Sequence, residues 1–525
     1  MSIPTLAERT AARVSLGALL ACLYRETDLV TAEGTTAVLG ALRVADGIAR
    51  CGPGPVGNCT LGGRGIDTAE AFALCVQAMR ERWLGQADLL ADRTLRSAER
   101  MARIVAGRMH AAPATDFQGA EQATWFGHWM HPCPKALTGM SPSEEVAMTP
   151  DWQGRLRLHA LSVEADRLEA TDSAVIRQLP GFDIDPGKGR ALLPVHPLTW
   201  DRLRDTPAAQ GIRDLRPVGP EWIATSSVRT LWHPDSPWQV KISLPVTITN
   251  SQRINKRHEL LTGPVMARAV AGLPSFGPMR IVTDPHWATL RGDTPETGFE
   301  VVFRQNPLRG DAVMQVAGLC AAPLPGQSSL LARMVAGHDP RDWFAAYLDC
   351  AVAPLLRMYD RTGIAFEAHQ QNALLDLTRG LPMRCDYRDN QGFYVVRDMA
   401  TPEMRAIPQL TYSRTEAEDA LSYTLIVNQV FGVIHRMAAD ALLPEDEALR
   451  MLARHLADLA ATLPGHGARL IGRWLRDDHL PAKGNLLTQL GGVDELLIPG
   501  ERAPQVRVAN PLPAFAPRKA LVDVA

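Results

Sequence analysis

Apolar residues recur every three to four positions over 11–24, 67–83 and 86–108, which puts one hydrophobic stripe on each of three predicted helices. Between the first two lies CGPGPVGNCTLGGRG at 51–65, which lacks the G-x-x-x-x-G-K-[ST] of a P-loop and reads as a surface loop. From about 190 to 310 the periodicity shortens. ALLPVHPLTW, WIATSSVRTLW, WQVKISLPVTIT, MRIVTD and FEVVFRQNP are β-branched and aromatic runs punctuated by Pro and Gly, and each predicts a strand. Helical spacing returns over 342–362, 416–442, 445–463 and 468–477, and within that region EAHQQNALLDLTRGLPMRCDYRDNQGFYVV predicts two hairpin strands. The chain shows no fixed-period repeat. This order predicts an α+β protein of three lobes: helical over 1–150, β-rich over 151–320 and mainly helical over 321–525.

Composition narrows the class. An apolar fraction of 46% and a charged fraction of 21% across 525 residues fit a soluble globular chain with ample core. A net charge of −2 supplies no global field for nucleic acid or an acidic membrane, so any anion site is local. Glu8, Arg9 and Arg13 interrupt the first apolar run, which rules against a signal peptide, and no run is long enough to span a bilayer. The eight cysteines are scattered without a C-x-x-C pair, as expected of reduced packing thiols in the cytoplasm.

Candidate chemistry is densest at 225–259, TSSVRTLWHPDSPWQVKISLPVTITNSQRINKRHE, predicted as two strands joined by a Pro-containing turn. Such a hairpin gathers Ser226, Ser227, Arg229, Lys241, Thr249, Asn250, Ser251 and Arg253 on one concave surface. Hydroxyls and three cations suit a polyanion, most commonly a nucleoside triphosphate. Unlike charges about 4 Å apart attract by roughly 4 kcal/mol at an effective dielectric of about 20. The same residues also fit a surface hairpin with scattered charges.

Two further clusters stand out. Glu367, His369 and Asn372 fall on a short loop after the long helix, and Asp389 follows on the next hairpin. An Asn and an Asp so placed are a magnesium-binding arrangement that protein kinases also use, although both residue types favour turns in any case. In EQATWFGHWMHPCPKALTGMSP at 121–142, His128, His131, Cys133 and Lys135 lie close together. Zinc would need a matching distant pair, and none stands out, so the segment reads as a turn-rich loop presenting His131 and Lys135 to an anion.

In this order the clusters resemble the IucA/IucC family of NRPS-independent siderophore synthetases. The family's G-H-x-x-H-P-x-x-K segment matches Gly127, His128, His131, Pro132 and Lys135, and its H-P strand matches Val195, His196 and Pro197. Its S-S-x-R-T…K-x-S…I-T-N-x-x-R pattern runs from Ser226 to Arg253, and E-A-H-x-Q-N from Glu367 to Asn372. A later R-D falls on Arg388 and Asp389, and K-x-x-L on Lys483 to Leu486. The likeness spans about 121 to 490.

The resemblance implies a hand-like thumb, fingers and palm architecture and an ATP-dependent ligase. Such an enzyme adenylates a carboxylate of citrate, a citrate derivative or 2-oxoglutarate and passes the acyl group to an amine or alcohol. Ser227, Arg229, Lys241, Thr249, Arg253, His369, Asn372 and Asp389 would then line the nucleotide and acid site, with Ser226, Asn250 and Lys135 beside them. Asn372 and Asp389 would hold magnesium, His131 would face the phosphates, and a homodimer is expected by family likeness. Lys241, Arg253 and the metal would offset repulsion between carboxylate and α-phosphate, Arg229 would clamp a second carboxylate, and Glu367 would orient the incoming ammonium. Departures from the family pattern fall at Leu137, at the Leu-Thr-Trp after Pro197, and at Gln489, where the family commonly has Arg. Two other classes compete: a kinase-like phosphotransferase, which would release ADP, and a non-catalytic citrate- or nucleotide-binding module.

Overall fold

A capping box opens the first helix. The Thr5 hydroxyl accepts from Glu8 N at 3.2 Å and the Glu8 carboxylate accepts from Thr5 N at 2.6 Å, so helix Leu6–Glu26 starts at this cap, ahead of the first apolar stripe. The computed structural model describes residues 4–110, 112–389, 392–491 and 504–517. In it this helix packs on Thr68–Arg80 and Leu84–Arg108, close to the three helices the spacing predicts.

The same region holds five strands that the periodicity does not reveal. Thr31–Glu33, Thr36–Leu39, Leu42–Val44, Cys59–Leu61 and Arg64–Ile66 form an antiparallel meander. At three or four residues each, they are too short to display an alternation. The Gly/Pro stretch at 51–65 is a surface loop only in part, with Pro55, Asn58 and Gly62 to Gly65 exposed. Cys51, Gly52 and Val56 are buried, and Val56 exchanges backbone and side-chain hydrogen bonds with Arg13. The loop lies so close to the first helix that a Cβ at Gly17 would sit 2.3 Å from the Gly54 carbonyl oxygen.

The β-rich region centres on one eight-stranded antiparallel sheet. Its order is Leu168–Ala170, His286–Leu290, Val301–Gln305, Trp238–Ile242, Thr230–Trp232, Arg213–Ala224, Arg155–Glu164 and Arg190–Val195. Trp222, Phe182, Phe299 and Phe303 fill the core against it. The segment 225–259 is not one hairpin but two, on different sheets. Thr230–Trp232 and Trp238–Ile242 stay in the large sheet, whereas Leu244–Ile248 pairs with Ser251–Arg253 on one side and Leu137–Thr138 on the other. The break has a physical cause: the Ser243 hydroxyl donates to Glu300 at 2.7 Å and accepts from Asn255 N at 2.9 Å, and Pro245 offers the ladder no donor.

The segment 364–396 likewise divides. Ala373–Asp376 and Arg384–Tyr387 form a hairpin, while Phe393–Val396 pairs with Ile364–Phe366 in a separate three-stranded sheet. Two of the long helices carry π-helical stretches, Leu348–Val352 and Ser422–Val430. The second places Asn428 against Gln370, whose backbone N–H it accepts at 3.0 Å.

Candidate active site

Strand register assembles the cations. Gln239 is paired with Arg304, and Lys241 lies two residues further along, so Lys241 and Arg304 project from the same face. Thr230 pairs with Lys241, which sets Arg229 at the strand end just beyond it. All three are buried, and Asn255 accepts from Arg229 Nη1 at 3.0 Å. The second hairpin brings the acid. Ala373 pairs with Tyr387, and Arg388 N donates to the Asn372 carbonyl at 3.0 Å, so Asp389 emerges directly beside Asn372. Its carboxylate meets Lys241 Nζ at 2.8 and 3.0 Å and Arg304 Nη2 at 3.5 Å.

Arg229, Lys241 and Asp389 line a cleft of about 710 Å³ together with Ser226, Ser227, Thr249, Arg253, Lys135 and His369, and Arg304 lies behind it. Ser226 Oγ accepts from Gln315 at 2.6 Å and from Gln371 at 3.2 Å, while its N–H reaches Glu121 at 2.8 Å. Val228, in the same turn, holds φ at 66°, a left-handed conformation that costs a β-branched residue about 1–3 kcal/mol. Lys135 contributes its stem to the wall, but its ammonium is already paired with Asp151 at 2.5 Å.

The two histidines of the G-H-x-x-H segment divide roles in a way the motif alone does not disclose. His131 is not among the cleft-lining residues. It is buried, its Nδ1 accepts from Cys133 N at 3.0 Å, and its Nε2 therefore donates to Asn250 Oδ1 at 2.7 Å. Where the sequence led one to expect His131 facing phosphate, the structure places its ring against Cys133 N and Asn250, bracing the Thr249–Asn250 turn. Asn250 likewise turns inward, donating to Asn485 at 3.4 Å. His128 is the histidine that opens to the cleft. Its Nδ1 accepts from Met130 N at 3.3 Å, which leaves Nε2–H as a donor into the void.

Glu367 and Asn372 stand behind the cleft wall rather than on it. Asn372 Nδ2 donates to the Glu367 carbonyl at 3.0 Å and lies 3.4 Å from His369 Nε2, and Glu367 accepts from Tyr394 at 3.2 Å.

Comparison with known proteins places the fold and the chain. The IucA / IucC family model matches residues 116–321, and a model described as Ferric iron reductase FhuF-like transporter matches 341–498. A spermidine-citrate ligase of Bacillus anthracis is 33% identical over 444 residues, covering 76% of this chain and 74% of its own length. The chain belongs to the IucA/IucC family of NRPS-independent siderophore synthetases. The rhizobactin siderophore biosynthesis protein RhbC of Rhizobium meliloti is 31% identical over 86% of both chains. The ATP-bound aerobactin synthetase IucA of Klebsiella pneumoniae superposes with a TM-score of 0.84 at 22% identity, over 95% of this chain and 99% of that one. Among the described residues, no helix is long and apolar enough to cross a membrane.

Within this synthetase fold, one buried cation behind the cleft escaped the motifs. Arg304 is clamped by Asp284 at 2.7 and 3.0 Å, while the motif residue Arg388 pairs with Glu121 at 2.8 Å. Arg304 left one trace in the sequence, a lone arginine in the apolar strand VVFRQ; Asp284 and Glu121 left none. Burial lowers the Lys241 pKa, which Asp389 opposes and Arg229 and Arg304 reinforce. For Asp389, burial alone would raise the carboxyl, but Lys241, Arg304 and Arg229 together hold it well below the usual range. Burial also lowers His369, and Glu367 and Asp389 offset part of that shift.

Asn372 and Asp389 also fit a magnesium ion. Asp389 supplies carboxylate oxygens, the ligand type a hard cation prefers, and Lys241 and Arg304 already contact them. With its amide nitrogen turned to the Glu367 carbonyl, Asn372 keeps its oxygen as a neutral ligand.

Proposed function

We propose that this synthetase activates a carboxylate of citrate or a citrate derivative with ATP as an acyl-adenylate and condenses it with an amine or alcohol. AMP and pyrophosphate leave. The observation that carries this reading is the convergence of Lys241, Arg229, Arg253 and Asp389 on one cleft. The bound nucleotide of the Klebsiella pneumoniae structure and the citrate ligase activity in the name of the Bacillus anthracis relative support it. So do two further relatives, an L-2,3-diaminopropanoate–citrate ligase of Staphylococcus aureus and an N(2)-citryl-N(6)-acetyl-N(6)-hydroxylysine synthase of Vibrio mimicus.

In this reading Ser227, Thr249, Arg253 and the Nε2–H of His128 hold the triphosphate, and Lys241 lies beside the α-phosphate. Arg229 grips a second carboxylate of the acid, which fixes the one that reacts. His369 orients the reacting carboxylate, with the Glu367 carboxylate 3.8 Å from its Nε2. Asn372 and Asp389 would hold magnesium, which neutralises phosphate charge when bound. Burial of the cationic wall strengthens each of these contacts relative to water.

The test is product analysis with citrate and hydroxylamine. Hydroxamate, AMP and pyrophosphate are expected, and Arg253→Ala or His369→Ala should abolish the hydroxamate while leaving a folded protein. ADP and phosphate as products would overturn the proposal in favour of a phosphotransferase. Binding without any product would leave a non-catalytic module.

A further inference from the structure

The cleft extends past His369 into a second compartment walled by the Gly/Pro loop, the first helix and helix Phe431–Ala439. Trp129 links the walls: a Cβ at Gly52 would lie 2.9 Å from its ring, and one at Gly432 would lie 3.4 Å from it. His435 closes the same side, its Cγ 3.0 Å from where a Cβ at Gly52 would sit. Most of the remaining lining is apolar, including Val14, Ala18, Ile48, Pro53 and Pro55.

Three carboxylates line the whole cleft, and they differ in one respect. Asp389 is paired with Lys241, and Asp151 with Lys135 and with Arg100 at 2.8 Å. Asp46 is exposed to the void and forms no hydrogen bond or ion pair with any described residue. The one lining cation beside this compartment, Arg436, is already bound to Asp440 at 2.8 Å. A largely apolar lining that includes a carboxylate with no ion-pair partner suits a ligand with an aliphatic body and a cationic far end.

We propose that this compartment receives the nucleophile, and that Asp46 selects an amine bearing a second ammonium group and disfavours one bearing a carboxylate there. The inference rests on the adenylating reading above and adds to it the class of amine. Asp46 has φ of 56°, a conformation Asn also tolerates, so Asp46→Asn removes the charge without disturbing the turn.

The test compares putrescine, n-butylamine and γ-aminobutyrate, which present an ammonium, a methyl group or a carboxylate at the far end of a short chain. Condensed product is measured for each and divided by the hydroxamate formed by the same enzyme from hydroxylamine, which has no far end. The native protein should prefer putrescine over γ-aminobutyrate by about tenfold or more in kcat/KM, and Asp46→Asn should lower that preference by about five- to tenfold. Equal use of the three amines, or a preference unchanged in Asp46→Asn, would overturn the assignment while hydroxamate formation upholds the adenylating reading. Absence of hydroxamate would overturn both.

Discussion

Lys241 and Asp389 stand 148 residues apart in the chain, yet the Lys241 ammonium lies 2.8 and 3.0 Å from the two carboxylate oxygens of Asp389. One comes from the centre of the eight-stranded sheet, the other from the end of the hairpin after the long helix. Their contact joins the cationic wall to the acidic loop.

Replacing Asp389 by Ala removes the carboxylate with which a buried ammonium is paired. The variant should lose about 2 kcal/mol or more of stability in urea denaturation, and Lys241→Met combined with Asp389→Leu should recover part of it. Because the folded Asp389 carboxyl lies below its unfolded value of about 4, its contribution is complete above that pH and is lost as pH falls below it. Asp389→Asn is therefore expected to flatten the acid limb of a stability–pH curve. A single variant as stable as the native protein would show that the pair is not desolvated.

The two motif histidines should separate by readout. His128→Ala removes a donor that faces the cleft and should raise the KM for ATP about five- to tenfold, with little change in melting temperature. His131→Ala strips a buried partner from Asn250 and should cost about 1–3 kcal/mol of stability. Pyrophosphate exchange and thermal melts on the same two variants decide the matter, and a reversed pattern would refute the division.

Glu26 couples the first helix to the C-terminal segment. Its carboxylate accepts from Leu486 N at 2.8 Å and Leu487 N at 3.0 Å, and burial pushes its pKa up to about 7 against these hydrogen bonds and Arg25. A raised carboxyl stabilises the fold fully below the unfolded value of about 4, and that stabilisation is lost as pH rises to about 7. Glu26→Gln should remove this slope when unfolding is measured at several values across that window. A slope unchanged in the variant would place its origin elsewhere.

Gly17→Ala tests the close approach of the Gly/Pro loop. Since the added methyl would meet the Gly54 carbonyl oxygen at 2.3 Å, helix or loop must move, at a cost of about 1–3 kcal/mol. Because Pro53, Gly54 and Pro55 line the second compartment, the same shift should also raise the KM for the amine. A variant with native stability and KM would mean that the loop moves freely.

The helices of the first and last regions were legible because an amphipathic stripe repeats over several turns, as in Glu445–Ala460. The cleft-lining side chains Ser226, Ser227, Arg229, Lys241, Thr249, Arg253, His369 and Asp389 were legible as motif positions. Less so was the division of Ser226–Arg253 between two sheets, since the Glu300 side chain that holds Ser243 lies 57 residues away.

By itself, the sequence determined the family, the mixed helix and sheet character, and which side chains carry charge and hydroxyl groups. These are local properties of spacing and residue type. Only the tertiary structure decided that His128 rather than His131 opens to the cleft, that Lys135 is already neutralised by Asp151, and that Arg304 joins Lys241 around Asp389. It also turned part of the Gly/Pro stretch into a cleft wall. The reason is physical: burial and the partner a charge meets depend on strand register and on packing between segments hundreds of residues apart, and no local pattern encodes them.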